Sequence, residues 1–225
     1  MNYLWEEFNI KTFPAETIVF RDGAYQPELS TLPNNSKLED GYDLPIHIVY
    51  VGEISDKKDL KFELSAPNQQ VFFTAKIINK TPAFLNIFIK NTGKNSDFRG
   101  KILAQNFSSL SIKETAQHFS KNTGIFLENK IVAHAGTETK LFGLAEIEPG
   151  CDMCGSDIGF AALAAPDAKI QFSPDQRISA VPDTAGHSAF IWRATPPQVQ
   201  FLQSAGLSAQ EIKKVLEEAF TNDSF

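Results

Sequence analysis

Cysteine is nearly absent from this chain, with only Cys151 and Cys154 among 225 residues. So sparse a supply excludes a disulfide framework. Basic residues are in deficit, 21 Lys and Arg against 27 Asp and Glu, for a formal net charge of −6. Neutralising a phosphate backbone needs a basic surface, and no Lys/Arg run supplies one, so a nucleic-acid partner is not expected. Long apolar runs are missing as well. The most apolar window, "IGFAALAAP" from Ile158 to Pro166, is far shorter than the ~20 residues of a membrane span. The opening "MNYLWEEFNIK" carries acids where a secretory leader would carry positive charge followed by an apolar stretch. The expectation is a soluble, cytoplasmic protein with no membrane partner. There is no Gly-x4-Gly-Lys phosphate loop and no G-x-S-x-G elbow, so neither of these motifs points to an enzyme.

What the chain does have is phenylalanine, 19 residues against four Tyr and two Trp, within a hydrophobic share of 42%. Phe brings a large apolar area with no polar tip to satisfy, which suits the interior of stacked strands. The first half reads as strands. "IVFRDGAYQPEL" places extended runs on both sides of Asp22-Gly23, a two-residue hairpin signal. In "LKFELS", Leu60, Phe62 and Leu64 alternate with Lys61, Glu63 and Ser65, and in "FLNIFIKN" Leu85, Ile87 and Ile89 share a face. "VFFTAKIINK" is equally rich in β-favouring residues, and turn clusters such as "NTGKNSD" and "NTG" separate the runs. Only "IKETAQHF", around residues 112–119, is ambiguous between helix and strand.

From residue 140 three segments repeat a theme: "EIEPGCDM", "LAAPDAKI" and "SAVPDTAG" each put an extended run before a Pro-Gly or Pro-Asp turn. Pro149, Pro166 and Pro182 are 17 and 16 residues apart, an interval that matches one coil of a stacked β-solenoid. A sandwich of hairpins would also produce such a pattern. The last segment differs in kind. In "TPPQVQFLQSAGLSAQEIKKVLEEAF", Thr195 caps a helix with Pro196 in its first turn and Gln198 three after the cap. Gly206 stops that helix in a left-handed conformation. Ser208 and Glu211 then form the capping box of a second helix. Its residues Ile212, Val215, Leu216, Ala219 and Phe220 make one apolar stripe. The stripe packs either on its own domain or on a partner protein.

A C-x-x-C pair has three readings: a redox couple, half of a metal site, or two thiols sharing a turn. The thioredoxin type sits at a helix N-terminus, whereas Cys151 and Cys154 lie between Pro149-Gly150 and Gly155 with strands expected on both sides. A structural zinc site needs four N/S ligands, available here only by combining both cysteines with some of His47, His118, His134 and His187. His134, in "VAHAG", reads as a core or edge histidine.

Three stretches carry a resemblance. "IVFRDGAYQPELS", "FGLAEIEPGCDMCGSD" and "AGHSAFIWRATPPQVQFLQSAGLSAQEIKKVLEEAF" are similar to segments of the SufB/SufD family of iron–sulfur cluster assembly subunits. The last stretch resembles the family's carboxyl end in order: histidine, capped helix, turn, capped helix. His187 falls on the family histidine, and Ser204-Ala205-Gly206-Leu207 on the turn. The chain also departs from the pattern. It has about half the family's typical length and lacks the amino-terminal helical region. Ala205 stands where the family has Arg, and Ala185 where SufD commonly has Cys. Cys151 and Cys154 are additional.

The resemblance implies a mainly β chain: a right-handed parallel β-helix over residues 1–194 with a two-helix segment over 195–225. It implies a non-enzymatic scaffold or accessory subunit that pairs through its last coils, as a homodimer or with a SufB-like subunit. A SufC-type ABC ATPase would dock on the terminal helices, through Phe201, Leu202, Leu207, Ile212, Val215, Leu216 and Phe220. An iron–sulfur cluster or iron would be held transiently, with Cys151, Cys154 and His187 as candidate ligands. His187 lies 33 residues after Cys154, which on a 16–17-residue coil puts them in phase two coils and ~10 Å apart. Two rivals keep the fold: a purely structural pairing module, and a carbohydrate-active β-helix enzyme. For the latter, Asp152, Asp157 and Asp167 supply acids but no basic partner lies near them in sequence.

Overall fold

Apolar side chains at every second position, many of them β-branched or aromatic, favour extended backbone with one face turned inward. The computed structural model describes residues 16–22, 24–31 and 45–221 and turns that pattern into thirteen strands. β1 (Glu16–Arg21) and β2 (Ala24–Tyr25) form the hairpin expected at Asp22-Gly23, pairing Phe20 with Tyr25, with Asp22 at φ 48°. The strands that follow are β3 (Ile46–Glu53), β4 (Asp56–Leu64), β5 (Gln70–Asn79), β6 (Ala83–Asn91) and β7 (Asp97–Asn106). Then come β8 (Ser109–His118), β9 (Gly124–Ala133), β10 (Glu138–Ile147), β11 (Gly155–Ala164), β12 (Lys169–Ile178) and β13 (Thr184–Trp192). Two helices close the described chain, α1 (Pro196–Ser204) and α2 (Ala209–Thr221). The acidic amino-terminal stretch lies outside the described residues, as do Gly23 and residues 222–225.

Odd-numbered strands line up in one sheet, β13-β11-β9-β7-β5-β3-β1 with β2 at its end, and even-numbered strands in another, β12-β10-β8-β6-β4. Every pairing except β1–β2 is parallel. From β3 onward the chain crosses to the other sheet at each turn, so one odd and one even strand make a coil. The fold is a parallel β-solenoid of about 6 coils with two carboxyl-terminal helices.

Register corrects the coil length. Gln70, Asp97 and Gly124 stack at steps of 27 residues, and the next steps are 31 to Gly155 and 29 to Thr184. Pro149, Pro166 and Pro182 therefore mark successive half-coils, each in a turn between the two sheets. The interval of 16–17 residues covers one strand and one turn. "IKETAQHF" is strand as far as His118 and makes up most of β8. Its neighbours β6 and β10 pair with it along its length, and that ladder overrides the weak helical spacing.

The core lies between the sheets. Leu85, Ile87 and Ile89 of β6, Ile112 of β8, Ile125 of β9 and Leu141 of β10 are all buried there. Phe62 packs against Phe73 and Phe98 at ring-centroid distances of 5.0 and 5.1 Å, and Phe160 against Phe172 at 5.6 Å. Each such side chain contributes about 1.5–3 kcal/mol by leaving water. Outward positions alternate with these and carry ion pairs between coils, such as Lys90–Glu63 at 2.9 Å. Exposed pairs of that kind add only ~0–1 kcal/mol each.

Candidate functional site at the open end and the cysteine turn

The parallel ladder stops at the carboxyl-terminal coil. Among the described residues, β12 pairs only with β10 and β13 only with β11, so each presents one unpaired edge. The helices do not close this end. Val181 is 70% exposed and Phe190 60%, with Ile178 and Ile191 exposed beside them. Unpaired strand edges beside exposed apolar side chains form a template for another chain.

His187 belongs to this open coil. It stacks on Ile158, a core residue of β11, so it continues an inward-facing row, yet it is exposed because no further coil of the described residues covers it. Ala185 and Ala189 flank it in the same row. Across the coil, Gln176 of β12 donates through Nε2 to the Gly186 carbonyl and ties the two edge strands together.

Cys151 and Cys154 sit in the turn between β10 and β11, both free and both buried, packed with Ile147 and Ala180. The ladder shows what Cys154 replaces. The N–H groups of Asp97, Gly124 and Gly155 donate to the carbonyls of Gln69, Ser96 and Thr123, so Gln69, Ser96, Thr123 and Cys154 are equivalent positions on successive coils. Thr123 Oγ1 donates to the Ser120 carbonyl at 3.2 Å and lies 2.7 Å from His118 Nδ1, which it therefore accepts from. Cys154 Sγ lies 3.2 Å from the same Thr123 hydroxyl and donates to the Ser120 carbonyl at 3.1 Å. Cys154 is thus one member of a buried His118–Thr123–Cys154 network, in which His118 Nε2 has no partner. Burial pushes the Cys151 thiol up, and the neighbouring Cys154, Glu148 and Asp152 push it further. A thiol so shifted is a poor nucleophile, and among the described residues this turn joins two strands and opens no helix that would activate it.

The three candidate ligands are not brought together within one chain. Cys154 pairs with the next coil at Asp183, whose N–H donates to its carbonyl at 2.9 Å. His187 is therefore one coil on and four residues farther along, ~13 Å down the strand. Among the described residues no group of three or more His, Cys, Asp or Glu stands ready to hold a metal ion.

The terminal helices have the expected punctuation. The Thr195 N–H donates to Gln198 Oε1 at 2.8 Å, and Gly206 is left-handed at φ +89°. Ser208 N–H donates to Glu211 Oε2 at 2.8 Å while the Glu211 N–H donates back to Ser208 Oγ at 3.3 Å. The apolar stripe divides. Ile212 is 3% exposed, and Leu216 and Phe220 are half-buried on the chain's own solenoid, with Lys130 Nζ 5.7 Å from the Phe220 ring centre. Leu202 and Leu207 are also half-buried, whereas Val215 is exposed and Phe201 is 71% exposed.

His134 lies on the solenoid surface that faces α2. Its ring stacks on Phe107 with centroids 3.9 Å apart, and its Nε2 donates to Gln105 Oε1 at 2.7 Å. Glu217 of α2 approaches Nδ1 to 3.9 Å. That contact is not an ion pair at neutral pH, because burial, with Lys213 adding to it, pulls His134 down to about 4. The cation beside Glu217 is Lys213, at 3.7 Å.

Sequence reasoning missed the polar interior. Glu114 of β8 is wholly buried and accepts a hydrogen bond from Asn129 of β9. It also missed the asparagine ladder on the turns, where Asn122 Nδ2 donates to Asn95 Oδ1 and Asn95 Nδ2 to Asn68 Oδ1, each at 3.1 Å. All three are left-handed, at φ 55°, 59° and 59°. The signal was present as Asn at 68, 95 and 122, a 27-residue repeat.

The parallel β-solenoid is the class of protein that this geometry defines. No protein-family model matches the chain, and no curated protein matches it. Among the described residues no helix is long and apolar enough to cross a membrane.

Proposed function

We propose that this chain is a non-enzymatic pairing subunit of the SufB/SufD type, acting in the cytoplasm in iron–sulfur cluster assembly. The observation that supports it most is the open carboxyl-terminal coil: two unpaired parallel edges, exposed Val181 and Phe190, and His187 presented in the same coil. A second subunit, either another copy or a SufB-like chain, pairs against that end. His187 then faces the partner, and the nascent cluster, as cargo, is held between them. Cys151 and Cys154 are too far from His187 in the same chain to bind one metal ion together with it, so the remaining donors come from the partner. A SufC-type ATPase docks on the helix surface that stays exposed, chiefly Phe201 and Val215.

A structural pairing module without metal is the second reading, favoured by the failure of Cys151, Cys154 and His187 to converge. Light scattering coupled to size exclusion, with anaerobic iron reconstitution, tests both. Pairing that is lost in the Val181→Lys/Phe190→Lys variant, with iron uptake that is lost in His187→Ala, supports the assembly reading. Pairing without His187-dependent iron supports the structural module. A wild-type chain that stays monomeric, alone and with a SufB-like subunit, sinks both. For the ATPase, retained pull-down by Phe201→Asp/Val215→Asp removes the docking claim.

A further inference from the structure

Between the terminal helices and the solenoid lies a cavity of about 390 Å³. It opens where β9 and β11 end, because their last residues, Ala133 and Ala164, and the turn residues Ala135 and Ala165 are too short to fill the space under α1 and α2. Val132 and Leu163 form the sheet wall, and Val199 and Leu216 the helix wall. The volume lies within the ~300–1,000 Å³ range of small-molecule sites, which are typically apolar with a few convergent polar groups. Here those groups include Arg193, Lys213 and Glu217. Glu217 is already shared with Lys213 at 3.7 Å. Arg193 donates to the Ala168 carbonyl at 3.1 Å and makes no ion pair with a carboxylate of the described residues. Two cations and one carboxylate leave an excess positive charge at an apolar cavity.

We propose that this cavity binds an amphipathic monocarboxylate, a medium-chain acyl anion or its close equivalent. The tail lies between Leu163, Val132, Val199 and Leu216. The carboxylate accepts hydrogen bonds from the Arg193 guanidinium, whose planar fork matches it, with Lys213 adding a second cation. A neutral apolar ligand would leave the charge surplus unanswered, and a cationic one would oppose it. The site is separate from the open coil, so it neither requires the pairing reading nor falls with it.

The test is calorimetric titration of the full chain with decanoate below its micelle concentration, with decyltrimethylammonium as the cationic control. Saturable one-to-one binding is expected for decanoate and none for the cation. Arg193→Gln/Lys213→Gln, both changes at exposed residues, weakens decanoate at least about tenfold, and Val199→Trp, which fills the cavity from α1, abolishes binding. Circular dichroism confirms that each variant is folded, and an unfolded Val199→Trp is replaced by Val199→Phe. No saturable binding by the wild type overturns the proposal. So does an affinity left within about twofold by both variants, or equal binding of the cation.

Discussion

Asn129 Nδ2 donates to Glu114 Oε2 at 2.9 Å inside the solenoid, the amide of β9 reaching the carboxyl of β8 across the interior. Asn129 Oδ1 is buried there without a partner. Burial pushes Glu114 up to about 7, opposed only by the Asn129 bond. Protonation removes the buried charge, so the neutral acid beside the Asn129 amide is the form that this core favours.

Stability therefore carries a pH signature. Glu114 holds its proton more tightly folded than unfolded, so its contribution is complete below about 4.5 and lost as pH rises to about 7. The change amounts to roughly 3 kcal/mol. His118 runs the other way: burial pulls it down to about 4, so its contribution is lost as pH falls from 6.5 towards 4, and His134 behaves alike. Subtracting the urea-denaturation profile of Glu114→Gln from that of the wild type isolates the acid. A flat difference between pH 5 and 8 would show that Glu114 is ionised in the fold.

Thr123 links His118 to Cys154. Thr123→Val removes the acceptor for His118 Nδ1 and leaves both ring nitrogens buried and unpaired, at a cost of about 2–3 kcal/mol. Thr123→Ser keeps the hydroxyl and loses about 1 kcal/mol or less. Equal losses in the two variants would mean that the hydroxyl contributes nothing.

Native thiols should be slow to react. Both cysteines are buried, and the Cys151 thiol is shifted away from the reactive thiolate. An aromatic disulfide reagent at about pH 8 should label two thiols in denaturant and almost none, over minutes, in the native protein. Rapid labelling of the native chain contradicts the buried network.

Gly93 is required by close approach of backbone. A Cβ built there would stand 2.1 Å from the Ala66 carbonyl oxygen of the preceding coil, and the Gly93 N–H donates to the Leu64 carbonyl at 2.9 Å. Because a backbone carbonyl cannot swing aside as a side chain can, Gly93→Ala should lower stability by about 2 kcal/mol or more. A melting temperature unchanged in that variant counts against the coil spacing.

The capping residues Thr195, Gly206, Ser208 and Glu211 were readable because capping is a local matter of three or four residues. The alternation of Leu60, Phe62 and Leu64 was readable for the same reason. The coil length was not read correctly, since the prolines punctuate every turn while the register depends on which strand each strand pairs with. Misreading the coil also placed His187 in phase with Cys154. The division of the α2 stripe, with Ile212 inside and Val215 outside, depends on where the helix lies over β9 and β11, which the helical spacing leaves open.

By itself, the sequence determined the strand alternation, the hairpin at Asp22-Gly23 and the two capped helices, because each follows from interactions within a few residues. Tertiary structure alone decided the order of strands in the two sheets, the separation of the cysteines from His187, and the meeting of Glu114 with Asn129. Those depend on which coil stacks on which, and a ladder of parallel strands joins residues about 30 apart that no local preference relates.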